Sequence, residues 1–141
     1  MNISYKFLDL RTLEFAYFDE NLNGDEGRME IKTSFGYGVD ASTHRLSCML
    51  EVMYSIEDRP VMKIKTGATY ELDAESFGSF VKGETFEMPV EPVRHFSSML
   101  YGATRGILSC KLEGTRLQQM ILPPRNLDTT IAEPLHIALR E

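Results

Sequence analysis

The sequence predicts an α+β fold: a four-stranded antiparallel sheet covered by one long helix plus a short C-terminal helix. Two patterns and the composition predict it. Apolar and polar residues alternate along residues 29–72, the signature of strands with one buried face. A seam at steps of three and four runs from Val93 to Cys110, the signature of an amphipathic helix. The 141 residues, 43% hydrophobic and 26% charged, fit one domain (residues 1–141) able to bury a real core.

The first strand is expected in "ISYKFLDLRTLEFAYF", which changes phase between Phe7 and Leu8 and so carries a bend or bulge. "RMEIKTSFGYGV" puts Met29, Ile31, Thr33, Phe35, Tyr37 and Val39 on one face. "HRLSCMLEVMYSI" puts Leu46, Cys48, Leu50, Val52, Tyr54 and Ile56 on one face, with Met49 and Met53 on the other, as in a central strand. "EDRP" is a turn, and "PVMKIKTGATYEL" alternates Met62, Ile64, Ala68, Tyr70 and Leu72 against lysines and polar residues. Short links between these runs make the sheet antiparallel.

The cover follows. A helical turn is expected around "DAESFGSF", and the long helix opens near Pro89 and Pro92 and ends near Gly114. Its seam is Val93, Phe96, Leu100, Ala103, Ile107 and Cys110. "MILPPRN" reads as an irregular connector, and "LDTTIAE", stopped by Pro134, as the short C-terminal helix. Within the long helix, Ser98, Gly102, Gly106 and Ser109 form a second stripe nearly free of side chains. Each mid-helix glycine costs roughly 1 kcal/mol relative to alanine, so the stripe needs a use. Either it packs closely on the protein's own sheet, or a helix of another subunit approaches it. The apolar seam already serves the sheet, which favours an oligomer interface of Ser98, Gly102, Arg105, Gly106 and Ser109.

Net charge is −6 and unevenly spread: residues 14–30 and 71–91 are acidic, residues 94–125 basic. Such a chain is a poor nucleic-acid binder. No apolar run reaches a membrane span, and "MNISYKFLDL" lacks the layout of a secretory signal. Cys48 and Cys110 sit at apolar-patterned positions and are expected as buried, reduced thiols of a cytoplasmic protein.

No catalytic constellation assembles. His44, His95 and His136 lack metal-ligand spacing, and the "GYG" of Gly36–Gly38 lies inside a strand rather than in a phosphate loop. Tyr101 and Arg105, one helical turn apart, can form a small polar site, the basis of a third-ranked enzyme reading, but such a pair is more often a solvated or interface contact. No catalytic residue, metal or cofactor is therefore expected. Eight Met, eight Phe and six Tyr supply core, but also adaptable apolar surface suited to varied polypeptide partners when rimmed by carboxylates.

The element order resembles the SecB-type export chaperones across nearly the whole chain. "ISYKFLDLRTLEF" corresponds to the family's first strand, and "KTGATYEL" looks like the glycine-containing end of its fourth. "PVRHFSSMLYGATRGIL" looks like its long helix, and "LQQMILPPRNLDTTI" resembles its Pro-bearing crossover and second helix. The resemblance implies a homotetramer, a dimer of dimers with the long helices packed between dimers. It also implies an ATP-independent holdase that binds unfolded or precursor polypeptides and passes them to the translocase ATPase SecA. The client groove would lie between crossover, final helix and sheet, using Met120, Leu122, Leu127 and Ile131. One departure matters. Thr12, Ala16 and Lys63 fall at about the family's acidic SecA-docking positions, Glu14 is in shifted register, and the acidic tail is short. Another receiver, such as a toxin–antitoxin partner or a different secretion route, fits that departure. The alternative reading is an oligomeric adaptor with one dedicated protein partner and no catalysis.

Overall fold

A computed structural model describes residues 3–22 and 28–139. Asp25 and Glu26 of the first acidic stretch, and Arg140 and Glu141 at the end, lie outside the described residues.

The four expected strands are present: β1 (Tyr5–Tyr17), β2 (Glu30–Asp40), β3 (Arg45–Ile56) and β4 (Arg59–Leu72). They form one antiparallel sheet in the order β1-β4-β3-β2. β1 shifts register between Phe7 and Asp9, where the sequence changes phase, and again between Thr12 and Glu14. Each bulge inserts one residue and bends the edge strand. β3 and β4 are joined by Glu57 and Asp58, both at positive φ (51° and 66°), the backbone of a two-residue turn that follows the twist of its strands.

Alternation sets the faces. Leu46, Cys48, Leu50, Val52, Tyr54 and Ile56 of β3, with Met62, Ile64, Thr66, Ala68, Tyr70 and Leu72 of β4, are all fully buried on one side. The helix α2 (Val90–Lys111) covers them, with Pro89 at its N-cap. A short helix α1 (Ala74–Ser79) precedes it, capped by the Asp73 carboxylate, which accepts from the Ser76 amide at 2.7 Å. Polar groups fix α2 on the sheet. Tyr70 Oη donates to Phe96 O at 3.1 Å, Thr66 and Thr104 hydroxyls meet at 2.9 Å, and Tyr37 bonds Ser97.

Three expectations are corrected. The seam of α2 rotates after Leu100: Thr104 and Leu108 are buried, while Ala103 and Ile107 are only half-buried. A repeat of 3.5 residues drifts around a helix of 3.6 residues per turn, so positions three and four apart do not stay on one line. Cys110, at the end of that drift, is exposed rather than buried; Cys48 is buried as expected. Third, the C-terminal helix over "LDTTIAE" is absent. Residues 127–131 make a single turn, closed by the Ile131 amide on Leu127 O at 2.8 Å. Thr129, Thr130 and Ile131 are β-branched and Pro134 prevents continuation. The chain instead enters a strand, β7 (Leu135–Ala138), which joins β5 (Val81–Lys82) and β6 (Thr85–Met88) in a small sheet of order β5-β6-β7. The minor helix of the fold is therefore α1.

Candidate functional site: an apolar groove beside the free sheet edge

A helix is about 10 Å wide and strands lie about 4.8 Å apart, so one helix covers roughly two strands of a sheet. α2 covers β3 and β4, and both edge strands keep part of their inner face open. On β2, Thr33, Phe35 and Tyr37 are half-buried and share the helix-facing side with Val52, Leu50 and Cys48 opposite them. They form one wall of a groove of about 480 Å³, whose other walls include Val93 of α2 and Ile131, Glu133 and Pro134.

The irregular crossover, residues 113–134, closes the groove, and side chains hold it by its backbone carbonyls. Arg94 donates from Nε to Ile131 O at 2.7 Å and from Nη2 to Asp128 O at 2.8 Å. Tyr101 Oη donates to Pro123 O at 2.7 Å and Arg105 Nε to Leu122 O at 2.8 Å. From the sheet, Tyr54 Oη donates to Met120 O at 3.2 Å. A segment without ladder partners thus satisfies its carbonyls through side chains. Burial raises the Tyr101 hydroxyl's pKa, against the lowering effect of Arg125 and Arg105 nearby.

Of the four expected groove residues, Ile131 lines the groove and Met120 is half-buried at the core's rim, but Leu122 and Leu127 are buried in the core. These two anchor the crossover from within the core. Thr33, Phe35, Tyr37 and Val93 were not anticipated as groove residues. Their signal was in the alternation of β2, joined to the width of a single helix.

Ser98, Gly102, Gly106 and Ser109 are exposed, on the side of α2 turned from the sheet. A Cβ added at Gly102 or Gly106 would meet nothing within 4 Å, so the protein's own sheet does not use this stripe. Arg105 is half-buried and is committed to Leu122 O. β1 adds further exposed apolar side chains: Phe7, Leu8, Leu10 and Leu13 are 42%, 39%, 41% and 46% exposed, Phe7 and Leu10 on the helix-facing side opposite Tyr70 and Ala68, and Leu13 on the outer face against Gly67.

The expected alignment of the outer sheet face is corrected at Thr12. Thr12 pairs with the buried Thr66 and so faces the helix, because the bulge at Leu13 moves Glu14 to the outer face. There Lys63 lies 3.4 Å from Glu14 and 4.0 Å from Glu51, and Arg45 3.8 Å from Glu71, making a face of mixed charge. Tyr101 and Arg105 both serve the crossover as described. Among the described residues no group of three His, Cys, Asp or Glu could hold a metal, and no helix is long and apolar enough to cross a membrane.

No protein-family model matches the sequence, and no curated protein matches it. Among solved structures, the fold is similar to a SecB-like chaperone of Mycobacterium tuberculosis, solved in complex with a ChAD peptide from the HigA1 antitoxin. The TM-score is 0.52 at 12% identity, over 86% of this chain and 90% of that one. The likeness is one of fold.

Proposed function

We propose that this protein is a SecB-like, ATP-independent holdase that binds extended apolar segments of unfolded polypeptide in the groove beside β2. The observation that carries the reading is that groove: apolar side chains of β2 and α2 left open by a fold shared with a chaperone. Affinity would come from burying apolar area at roughly 25 cal/mol per Å², less the cost of ordering the client. The working form is a homotetramer, a dimer of dimers, with Ser98, Gly102, Gly106 and Ser109 at the helix contact and β1's apolar residues covered by another copy. Catalysis has no part in the reading. Export delivery to SecA is its weakest extension, because acids and bases alternate on the outer sheet face.

A second reading has its own support, since the structural neighbour was solved with a peptide from one particular antitoxin. In that reading the groove holds a segment of one dedicated partner, and the protein is an adaptor.

Light scattering of several unrelated aggregating clients tests both. A holdase delays all of them at stoichiometric amounts, and Phe35→Ser weakens the delay in protein whose circular dichroism shows it still folded at the assay temperature. No delay of any client removes the holdase reading, and delay of only one supports the adaptor.

A further inference from the structure

Acids outnumber bases in this chain by 21 to 15, so a surface arginine has carboxylates to choose from. Among the described arginines, Arg11, Arg28, Arg45, Arg59, Arg94 and Arg116 each lie within 4.0 Å of one. Arg105 and Arg125 are the two that do not, and both sit on the crossover side of α2 beside Tyr101. Arg125 is exposed and reaches across to the sheet, where Nη1 donates to Thr33 Oγ1 at 2.6 Å. Thr33 is itself a wall of the groove. Among the described residues, the apolar groove therefore has a guanidinium at its Thr33 end with one hydrogen bond and no counter-ion.

We propose that the client segment is an extended apolar polypeptide carrying a carboxylate at the point where it passes Arg125. This deepens the groove reading above and rests on it. A guanidinium takes a carboxylate through two parallel N–H donors, a geometry that fixes register as well as adding affinity. Glu133, the one carboxylate among the lining residues, opposes acid elsewhere along the groove, so the preference belongs to one position rather than to net charge. Of the remaining lining residues, Phe35, Tyr37, Val93, Ile131 and Leu135 suit an apolar chain, and β2, last in the strand order, offers its edge to an extended backbone. A nucleic acid would need a row of cations and would meet a net charge of −6.

Fluorescence anisotropy decides it, with three labelled apolar peptides of one sequence: Asp at the first position, Asp at the last, or Asn at both. The intact protein should bind one of the Asp peptides about three- to fivefold more tightly than the Asn peptide, the range of an exposed pair, and salt should shrink the difference. Arg125→Gln should abolish the preference, so that all three peptides bind alike, and Arg125→Glu should transfer it to a Lys-ended peptide. Equal binding of all three peptides to the wild type overturns the carboxylate and leaves the groove standing, as does a preference that survives in Arg125→Gln. Failure of every peptide to bind removes the groove reading itself, and the carboxylate with it.

Discussion

Burial decides the behaviour of single side chains here more than charge pairing does. The ion pairs are surface pairs worth ~0–1 kcal/mol each, whereas Thr66 and Thr104 are fully buried and satisfy each other. Thr104→Val should lower stability by about 1–3 kcal/mol, because the Thr66 hydroxyl is left in an apolar setting without its partner. Denaturant titration of the single variant, and of the double variant with Thr66→Val that recovers part of the loss, checks it. Burial also pushes the Cys48 thiol from 9.0 up to about 12 and the Tyr54 hydroxyl from 10.0 up to about 12. Above pH 9 the unfolded chain releases these protons while the folded protein keeps them, so stability falls as pH rises from 9 toward 12. The denaturant midpoint should therefore be lower at about pH 10.5 than near neutrality. In the native protein a thiol reagent should label Cys110 alone, with Cys48 following only on unfolding.

Among the elements, local patterns were legible and long-range partnerships were not. β2, β3, β4 and α2 announce themselves because a strand's alternation and a helix's stride are written within the element itself. Even the bulge after Phe7 shows as a change of phase. β7 does not, since four residues make a strand only because β6, about fifty positions earlier, presents a free edge to them. The groove was legible only as a region. Placing it on Phe35 and Tyr37 rather than Leu122 and Leu127 required knowing which strands α2 leaves uncovered. The glycine stripe of α2 gives the prediction at this scale. A Cβ at Gly102 meets nothing within 4 Å, and Gly102→Leu removes a penalty of about 1 kcal/mol from the helix. Its protomer should melt no lower than the wild type in thermal denaturation, whatever happens to assembly.

For the molecule as a whole, exposed apolar residues on β1 and a smooth outer stripe on α2 are two separate surfaces, and two surfaces suffice for a dimer of dimers. Solution mass by light scattering should give about four times 16.1 kDa, falling toward twice that value in Gly102→Leu. A monomer in both would leave the stripe without a partner and remove tetramer assembly from the proposal. The crossover carries a different consequence. Arg94, Tyr101, Arg105 and Tyr54 hold it by carbonyl oxygens, which every residue type possesses. Apart from the buried Leu117, Leu122, Leu127 and Ile131 and the few side chains that bond within it or to the sheet, its residues can diverge without loosening the strap. Selection could therefore rewrite the lining of the groove, residue by residue, while the architecture that presents it stays unchanged.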